Sequence, residues 1–211
     1  MSATLDSIAQ LLIEGNHLEI VPLVETALAE GNAASTVLND GLLKGMGVVG
    51  VRFRDGDMFL PEVLQSARAM KLSMKILEPL FLEEGHTFRG KVLLATVKGD
   101  IHDIGKNLVS IMLQGNGYTV VDLGINCSTD KFMLAIEEHK PDICGLSAML
   151  TTTMRSMQAT VAEVKARLPN QLIIVGGAPV NKNFADDIAA DAYGADAMRA
   201  VDIVTDLLHG A

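Results

Sequence analysis

Tryptophan is absent from the sequence, and tyrosine and phenylalanine are scarce at two and six residues. A chain so poor in rings offers no platform on which the bases of a single strand could stack. Positive charge is also thin: 17 Lys and Arg stand against 26 Asp and Glu, for a formal net charge of -9. Nucleic-acid binding draws on clustered cations that displace counterions, and no such cluster is present, so nucleic acid is not expected as a partner. No apolar run approaches the roughly 18 residues that cross a bilayer, so no membrane is expected either. Met1 to Asp6 carry no cationic stretch, which reads against a secretory signal. The two cysteines, Cys127 and Cys144, are too few for a disulfide framework and have no metal-knuckle spacing. A reducing cytoplasm is the expected setting.

What is present is an apolar, ordered composition: 49% hydrophobic residues, 11 methionines and 19 glycines in 211 residues. That length suits one or two domains. The periodicity argues for two, a helical domain over residues 1–88 and an α/β domain over residues 89–211. In the first, Leu5, Ile8, Leu11 and Leu12 recur at helical spacing, and Leu18, Val21, Val24, Ala27 and Leu28 repeat it. Gly15-Asn16 and Gly31-Asn32 are stop signals between these stretches. A third helix is expected from about Ala34 to Phe53, with Gly41, Gly45, Gly47 and Gly50 permitting close helix approach. Arg54-Asp55-Gly56-Asp57 is turn chemistry, and Pro61 suits the first turn of a long helix reaching about Leu82. On that helix Val63, Leu64, Ala67, Met70, Met74, Leu77 and Phe81 share a face. Four such helices predict a bundle. The polar stretch from Glu83 to Gly90 reads as a joint.

Beyond the joint the period changes. Apolar runs at Lys91–Val97, Tyr118–Leu123, Asp142–Ser147 and Leu172–Val175, with a short Ala192-Tyr193, alternate with helices expected at Ile104 to about Gln114, Thr129–Glu138, about Thr153–Leu168, near Phe184–Ala190, and up to Leu208. This alternation predicts a flavodoxin- or Rossmann-like α/β fold with a five-stranded parallel sheet in the order 2-1-3-4-5. Ligands of such sheets bind beyond the carboxyl ends of the strands, at the switch point, here between strands 1 and 3.

Three strand exits therefore carry the candidates: Gly99-Asp100-Ile101-His102-Asp103-Ile104-Gly105-Lys106-Asn107, Ser147-Ala148-Met149-Leu150-Thr151-Thr152-Thr153, and Gly176-Gly177-Ala178-Pro179. His102 is the one histidine among them; His17, His86, His139 and His209 fall on expected helix faces or in the joint. A lone histidine reads as structural or as a ligand. Asp100 favours the ligand, because its carboxylate can hold one ring nitrogen, fix the tautomer and leave the other nitrogen for a metal. Gly105 lets the loop turn tightly into its helix. A hydrolytic zinc would want three protein ligands, and no second His or Cys is well placed. One histidine suits a metal that brings most of its own ligands, as a macrocycle does. Gly176-Gly177 reads equally as a tight turn or as a close approach of backbone to ligand. Thr151-Thr152-Thr153 reads as a helix cap or as hydroxyl contacts to a ligand. No Gly-x-Gly-x-x-Gly follows strand 1 and no Gly-Lys-Ser/Thr is present, so neither a dinucleotide nor a nucleoside triphosphate is favoured.

Asp100-x-His102-x-x-Gly105, Ser147-x-Met149 and Gly176-Gly177, each at a strand exit, resemble the cobalamin-binding signature of vitamin B12-dependent methyltransferases and mutases. The usual residue at Met149 is Leu, and Met fills a similar apolar volume. Val51 to Val63 resembles the helical cap of methionine synthase and of small corrinoid proteins, so the likeness spans nearly the whole chain. It points to a corrinoid protein of a methyltransferase system. The resemblance implies cobalamin as cofactor, with methylcobalamin as intermediate. It implies His102 as the lower axial cobalt ligand in place of the cofactor's own base, Asp100 as its hydrogen-bonded partner, and Thr153 where methionine synthase has a relay serine. Gly99, Ile101, Asp103, Ile104, Gly105 and Met149 would line the cofactor with them. Ser147 and Thr151 would contact the displaced nucleotide tail, Gly176 and Gly177 would line its channel, and Ala197 would pack on it. Phe53 and Leu60 would cover the methyl face, alongside Met58 and Phe59.

The same resemblance implies a carrier rather than a catalyst on its own, with cobalt cycling between Co(I) and methyl-Co(III). Its partners would be a barrel-type substrate:corrinoid methyltransferase, a second methyltransferase to tetrahydrofolate or a thiol, and a reductive activator. Methanol, methylamines, glycine betaine and phenyl methyl ethers (O-demethylation) are the donor classes in view. The cap would have to move at the Glu83–Gly90 joint to expose the metal. A cobalamin-binding sensor and a B12-dependent mutase subunit are the alternatives. The lack of an output domain weighs against the first, and the methionine-synthase-like cap against the second.

Overall fold

The computed structural model describes residues 3–84 and 89–210. The chain divides into two compact units, one built almost wholly from residues up to 88 and the other almost wholly from residue 89 onward.

The first unit is helical. It contains α1 (Ala3–Ile13) and α2 (Ile20–Ala29), then a continuous helical stretch of α3 (Ala34–Thr36), a π-helical segment (Val37–Leu43) and α4 (Lys44–Asp55), and finally α5 (Leu60–Glu84). Counting the stretch from Ala34 to Asp55 as one helix, the four expected helices are present among the described residues. Leu5, Ile8 and Leu12 of α1, Val24 and Ala27 of α2, Met46 and Val49 of α4, and Val63, Met70, Met74, Leu77 and Phe81 of α5 are buried. Their spacing of three, four or seven turns one stripe of each helix inward. A Cβ on Gly45 would lie 2.7 Å from the Ala9 carbonyl oxygen, so α4 can sit this close to α1 only with glycine there.

Three details differ from expectation. Gly47 has open space around it, because two residues along a helix carry it away from the face that Gly45 presses on α1. Leu18 is 77% exposed in the turn before α2, and Ile20 takes the inward position instead. Leu64 lies one residue off the Val63 stripe and is exposed. The joint is also shorter than expected. Pro79 removes one hydrogen bond from α5 without ending it, so Glu83 and Glu84 are helical. Residues 85–88 lie outside the described residues.

The second unit alternates β1 (Lys91–Thr96), α6 (Ile104–Gly115), β2 (Thr119–Asp122), α7 (Thr129–His139), β3 (Ile143–Ser147), α8 (Met154–Arg167), β4 (Leu172–Gly176), α9 (Lys182–Asp187), β5 (Ala192–Gly194) and α10 (Ala197–His209). All neighbouring strands pair in parallel, in the expected order β2-β1-β3-β4-β5. Leu93, Ala95 and Val97 pack with Phe132, Leu146, Val161 and Val175 on one face. Val92 and Leu94 alternate to the other face and are also buried. A sheet covered on both sides explains why its strands are apolar without alternation. α9 begins earlier than expected because the Asn181 side chain caps it, accepting from the Phe184 N–H.

Register is what builds the functional end. Thr96 pairs with Ser147, Ser147 with Gly176, and Gly176 with Gly194. Four strands thus end at one level, and their exits lie side by side. Among the described residues no helix is long and apolar enough to cross a membrane.

Candidate functional site

Past Thr96 the chain turns back on itself. The Asp100 N–H donates to the Val97 carbonyl at 3.1 Å, with Gly99 at φ 84° inside the turn. The buried Thr96 hydroxyl donates to the His102 carbonyl at 2.9 Å. This pins the loop over the end of its own strand.

The Asp100 side chain is fully buried, while the His102 side chain is 50% exposed. Both carboxylate oxygens accept two bonds. Oδ1 takes the His102 backbone N–H at 3.0 Å and lies 2.8 Å from His102 Nδ1. Oδ2 takes the Met149 N–H and the Thr153 hydroxyl, both at 2.7 Å. Burial alone would push the Asp100 carboxyl upward. The hydrogen bonds from Met149, His102 and Thr153 outweigh it and hold the group well below the usual carboxylate range. Asp100 is therefore an acceptor only, so Nδ1 of His102 carries the proton and Nε2 presents a lone pair. Nε2 has no hydrogen-bond partner among the described residues.

Thr153 immediately precedes α8 but makes no side-chain cap bond to it. The capping alternative is thereby corrected: the hydroxyl turns back to Asp100 and lies 2.9 Å from the Leu150 carbonyl oxygen. Thr151 and Thr152 are exposed. The glycine pair has a structural cause. A Cβ on Gly177 would stand 1.9 Å from the Ala148 carbonyl oxygen, and its φ is 122°. A Cβ on Gly176 would stand 2.9 Å from the Gly194 carbonyl oxygen. The exits of β3, β4 and β5 close together only around glycine. Gly105 has the opposite surroundings: no atom lies within 4 Å of where its Cβ would be, and its φ is ordinary. The expectation that it serves a tight turn into α6 is corrected accordingly.

The structure thus gathers Gly99 to Gly105, Ser147, Met149 to Thr153, Gly176 and Gly177 at one end of the sheet. Asp103 is exposed there, its carboxylate accepting from the Asn107 side-chain amide at 3.0 Å. Ala197 is buried at the start of α10. Phe53 and Leu60 belong to the helical unit, where Phe53 is half-buried and Leu60 and Phe59 are exposed. Met58 is buried. His17 sits in a turn, His139 and His209 end their helices, and His86 lies outside the described residues. Both cysteines are free and buried, and burial pushes the Cys144 thiol up to about 12.

Sequence reasoning missed part of this end of the molecule. Ile101, Ile104, Ile125, Met149 and Leu150 are all exposed, and they occupy the exits of β1, β2 and β3. Ile125 and Leu150 carried no motif to mark them. Exposed apolar side chains gathered at one end of a domain mark a surface that something covers.

The comparisons with known proteins agree with this geometry. The B12 binding domain profile matches residues 90–202, and a second profile with that description matches residues 4–78. The chain belongs to the B12-binding family. It is a corrinoid protein of the methyltransferase type. It is 37% identical over 209 residues to a corrinoid protein of Desulfitobacterium hafniense (strain Y51), covering 97% of each chain. It is 40% identical over 179 residues to trimethylamine corrinoid protein 2 of Methanosarcina acetivorans, covering 83% of this chain and 82% of the relative. Its fold matches the methanol:cobalamin methyltransferase complex of Methanosarcina barkeri with a TM-score of 0.86 and 30% identity, over 99% of this chain and 80% of that one.

The cofactor of this corrinoid protein is of the cobalamin class, and the residues present fit it. Among the described residues no group of three His, Cys, Asp or Glu could hold a bare metal ion. A metal that brings its own equatorial ligands, as in a corrin, would need only one further donor from the protein. The lone pair on His102 Nε2 fits that need, and the exposed apolar side chains nearby suit a large ring.

Proposed function

We propose that this corrinoid protein is a methyl carrier that binds cobalamin with its nucleotide base displaced and His102 Nε2 in the base's place. The supporting observation is the state of His102: its Nδ1 is held by a buried carboxylate, its Nε2 has no partner among the described residues, and its ring is half-exposed beside apolar side chains. When bound, the corrinoid supplies a cobalt centre that takes up a methyl group and releases it again.

The protein's own residues do the rest. Asp100 keeps the proton on Nδ1 and so keeps Nε2 available, a carboxylate–histidine pairing that also raises ligand basicity. Thr153 and the Met149 N–H fix Asp100 from the far side. Ile101, Ile104 and Met149 exclude water from the ring face. Ser147 and Thr151 offer hydroxyls to the displaced tail, Gly176 and Gly177 leave a path for it, and Ala197 packs against it. Phe53 and Leu60 would be the helical unit's contribution to holding the group.

The methyl group passes from a substrate:corrinoid methyltransferase of barrel type to a second methyltransferase, with a reductive activator in support. The names of the relatives, which refer to trimethylamine and methanol, favour a small N- or O-methyl donor chosen by the partner enzyme. Free cysteines suit the reducing cytoplasm such chemistry wants. For each partner to reach the cofactor in turn, the protein would have to expose it. Small-angle scattering with and without a methyltransferase tests this, and an identical profile for the protein free and in a productive complex, after allowing for the partner, would count against it.

The central test is reconstitution with hydroxocobalamin. The wild type should bind about one corrinoid with the absorption spectrum of a displaced base. His102→Ala should lose that spectrum. A variant that binds with the wild-type spectrum would remove His102 from the role.

A further inference from the structure

The loop that follows β2 grips the His102 loop at both ends. At the near end, Asn126 Oδ1 accepts the Gly99 N–H at 2.8 Å, and the Asn126 N–H donates to the Asp100 carbonyl at 2.9 Å. At the far end, the buried Lys106 ammonium is ion-paired with Asp122 Oδ2 and donates to Asn107 Oδ1 at 2.8 Å. The other Asp122 oxygen accepts the Gly124 N–H at 2.9 Å. The segment from Asp122 to Asn126 thus holds the chain just before His102 and just after it.

Asn126 also has a backbone φ of 50°, in the left-handed region. Asparagine tolerates that region better than other residues with side chains, and glycine best of all. A residue held there with its side-chain oxygen and its main-chain N–H committed to one dipeptide is over-determined by its surroundings. These bonds are not needed to attach β2, which pairs with β1 from Lys91–Thr119 to Leu94–Asp122. What they fix is the path of Gly99 and Asp100, and therefore where the Asp100 carboxylate meets Nδ1 of His102.

We propose that Asn126 is a positioning residue for His102, acting through the Gly99–Asp100 main chain to set the aim and tautomer of the imidazole. The inference rests on the corrinoid reading of His102 and adds a loop that the reading does not use.

Asn126→Gly keeps the left-handed backbone and removes the acceptor, whereas Asn126→Asp keeps an acceptor. With hydroxocobalamin, Asn126→Gly should bind about tenfold more weakly, the lower end of what supporting partners of a metal ligand cost. Its spectrum should be a mixture of His-bound and His-free forms, and Asn126→Asp should restore the wild-type spectrum. In the cofactor-free protein, nitrogen NMR of His102 should find the proton on Nδ1 in the wild type and shared between both nitrogens in Asn126→Gly. Wild-type affinity, spectrum and tautomer in folded Asn126→Gly, or no restoration by folded Asn126→Asp, would overturn the proposal. If His102→Ala loses the signature while Asn126→Gly does not, the corrinoid reading stands and this one falls. If the wild type itself lacks a His102-dependent spectrum, the corrinoid reading fails and this proposal falls with it.

Discussion

Replacing Asp100 by Asn tests the site at its centre without altering its shape. The carboxylate accepts four hydrogen bonds, two on each oxygen. An amide keeps one oxygen and presents an NH2 in place of the other. If the NH2 takes the Oδ2 position, it faces the Met149 N–H, which cannot turn away, while the Thr153 hydroxyl can rotate to accept. If it takes the Oδ1 position, it faces the His102 N–H, and Nδ1 must become an acceptor. That moves the ring proton to Nε2 and blocks the nitrogen proposed to bind the metal. In either orientation one backbone donor is stranded, at about 1–3 kcal/mol, and the surviving bonds lose their charge assistance, at about 1 kcal/mol or more in sum. Burying a neutral amide instead of a charge returns part of this. The net destabilisation is about 2–4 kcal/mol, or roughly 5–15 °C in Tm for a chain of this size. The assay is thermal unfolding of the cofactor-free protein followed by tyrosine fluorescence. With no tryptophan present, Tyr118 and Tyr193 report alone, and both lie in the sheet unit. A fall of less than about 2 °C would refute the account of Asp100 as the anchor of the loop.

The same variant carries a pH prediction. The folded Asp100 pKa lies below its ordinary value of 3.8, so its contribution is complete above that value and is lost as pH falls toward the folded pKa. The stability gap between wild type and Asp100→Asn should narrow as pH falls below about 4, and a gap at about pH 3 equal to that at about pH 5 would contradict this. Gly177→Ala and Gly99→Ala should differ although both glycines have positive φ. The first places a Cβ 1.9 Å from the Ala148 oxygen, and the second meets only the Thr153 methyl at 3.7 Å. Urea midpoints should show about 3–5 kcal/mol lost at Gly177 and about 1–2 at Gly99, and equal losses would contradict the steric argument.

The sheet was legible because its strands are buried on both faces and its helices are not, so the period changes at each boundary. The Asp100–His102 pair was legible because two residues in one loop can meet without knowledge of the fold. Leu18, Gly47 and Leu64 misled because helical spacing does not reveal which residue begins a helix, and a shift of one position rotates a side chain by about a quarter turn. The choice between the two readings of Thr153 was hidden for a different reason. A threonine before a helix has the same local pattern whether its hydroxyl caps that helix or leaves it, and only Asp100, arriving from another strand, draws it away. Asn126 was hidden likewise, since its partners Gly99 and Asp100 come from the neighbouring strand's exit.

Those cross-strand bonds all depend on register. Asp100 lies four residues past Thr96, and Met149 and Thr153 lie two and six past Ser147, so the Thr96–Ser147 pairing brings the two donors to one oxygen of the Asp100 carboxylate. A slip of one residue would move each strand's side chains to the opposite face and carry Met149 and Thr153 away from Asp100. The glycines at the next exit act on the same alignment. Ala148 donates its N–H to the Gly176 carbonyl at 3.1 Å, and a side chain on Gly177 would force that crossing apart. The scattered signature of Asp-x-His, Ser-x-Met and Gly-Gly is therefore one structural requirement written at three strand ends. The first supplies the imidazole proposed to hold the cofactor, the second fixes the carboxylate beside it, and the third holds the strands in the register on which both depend.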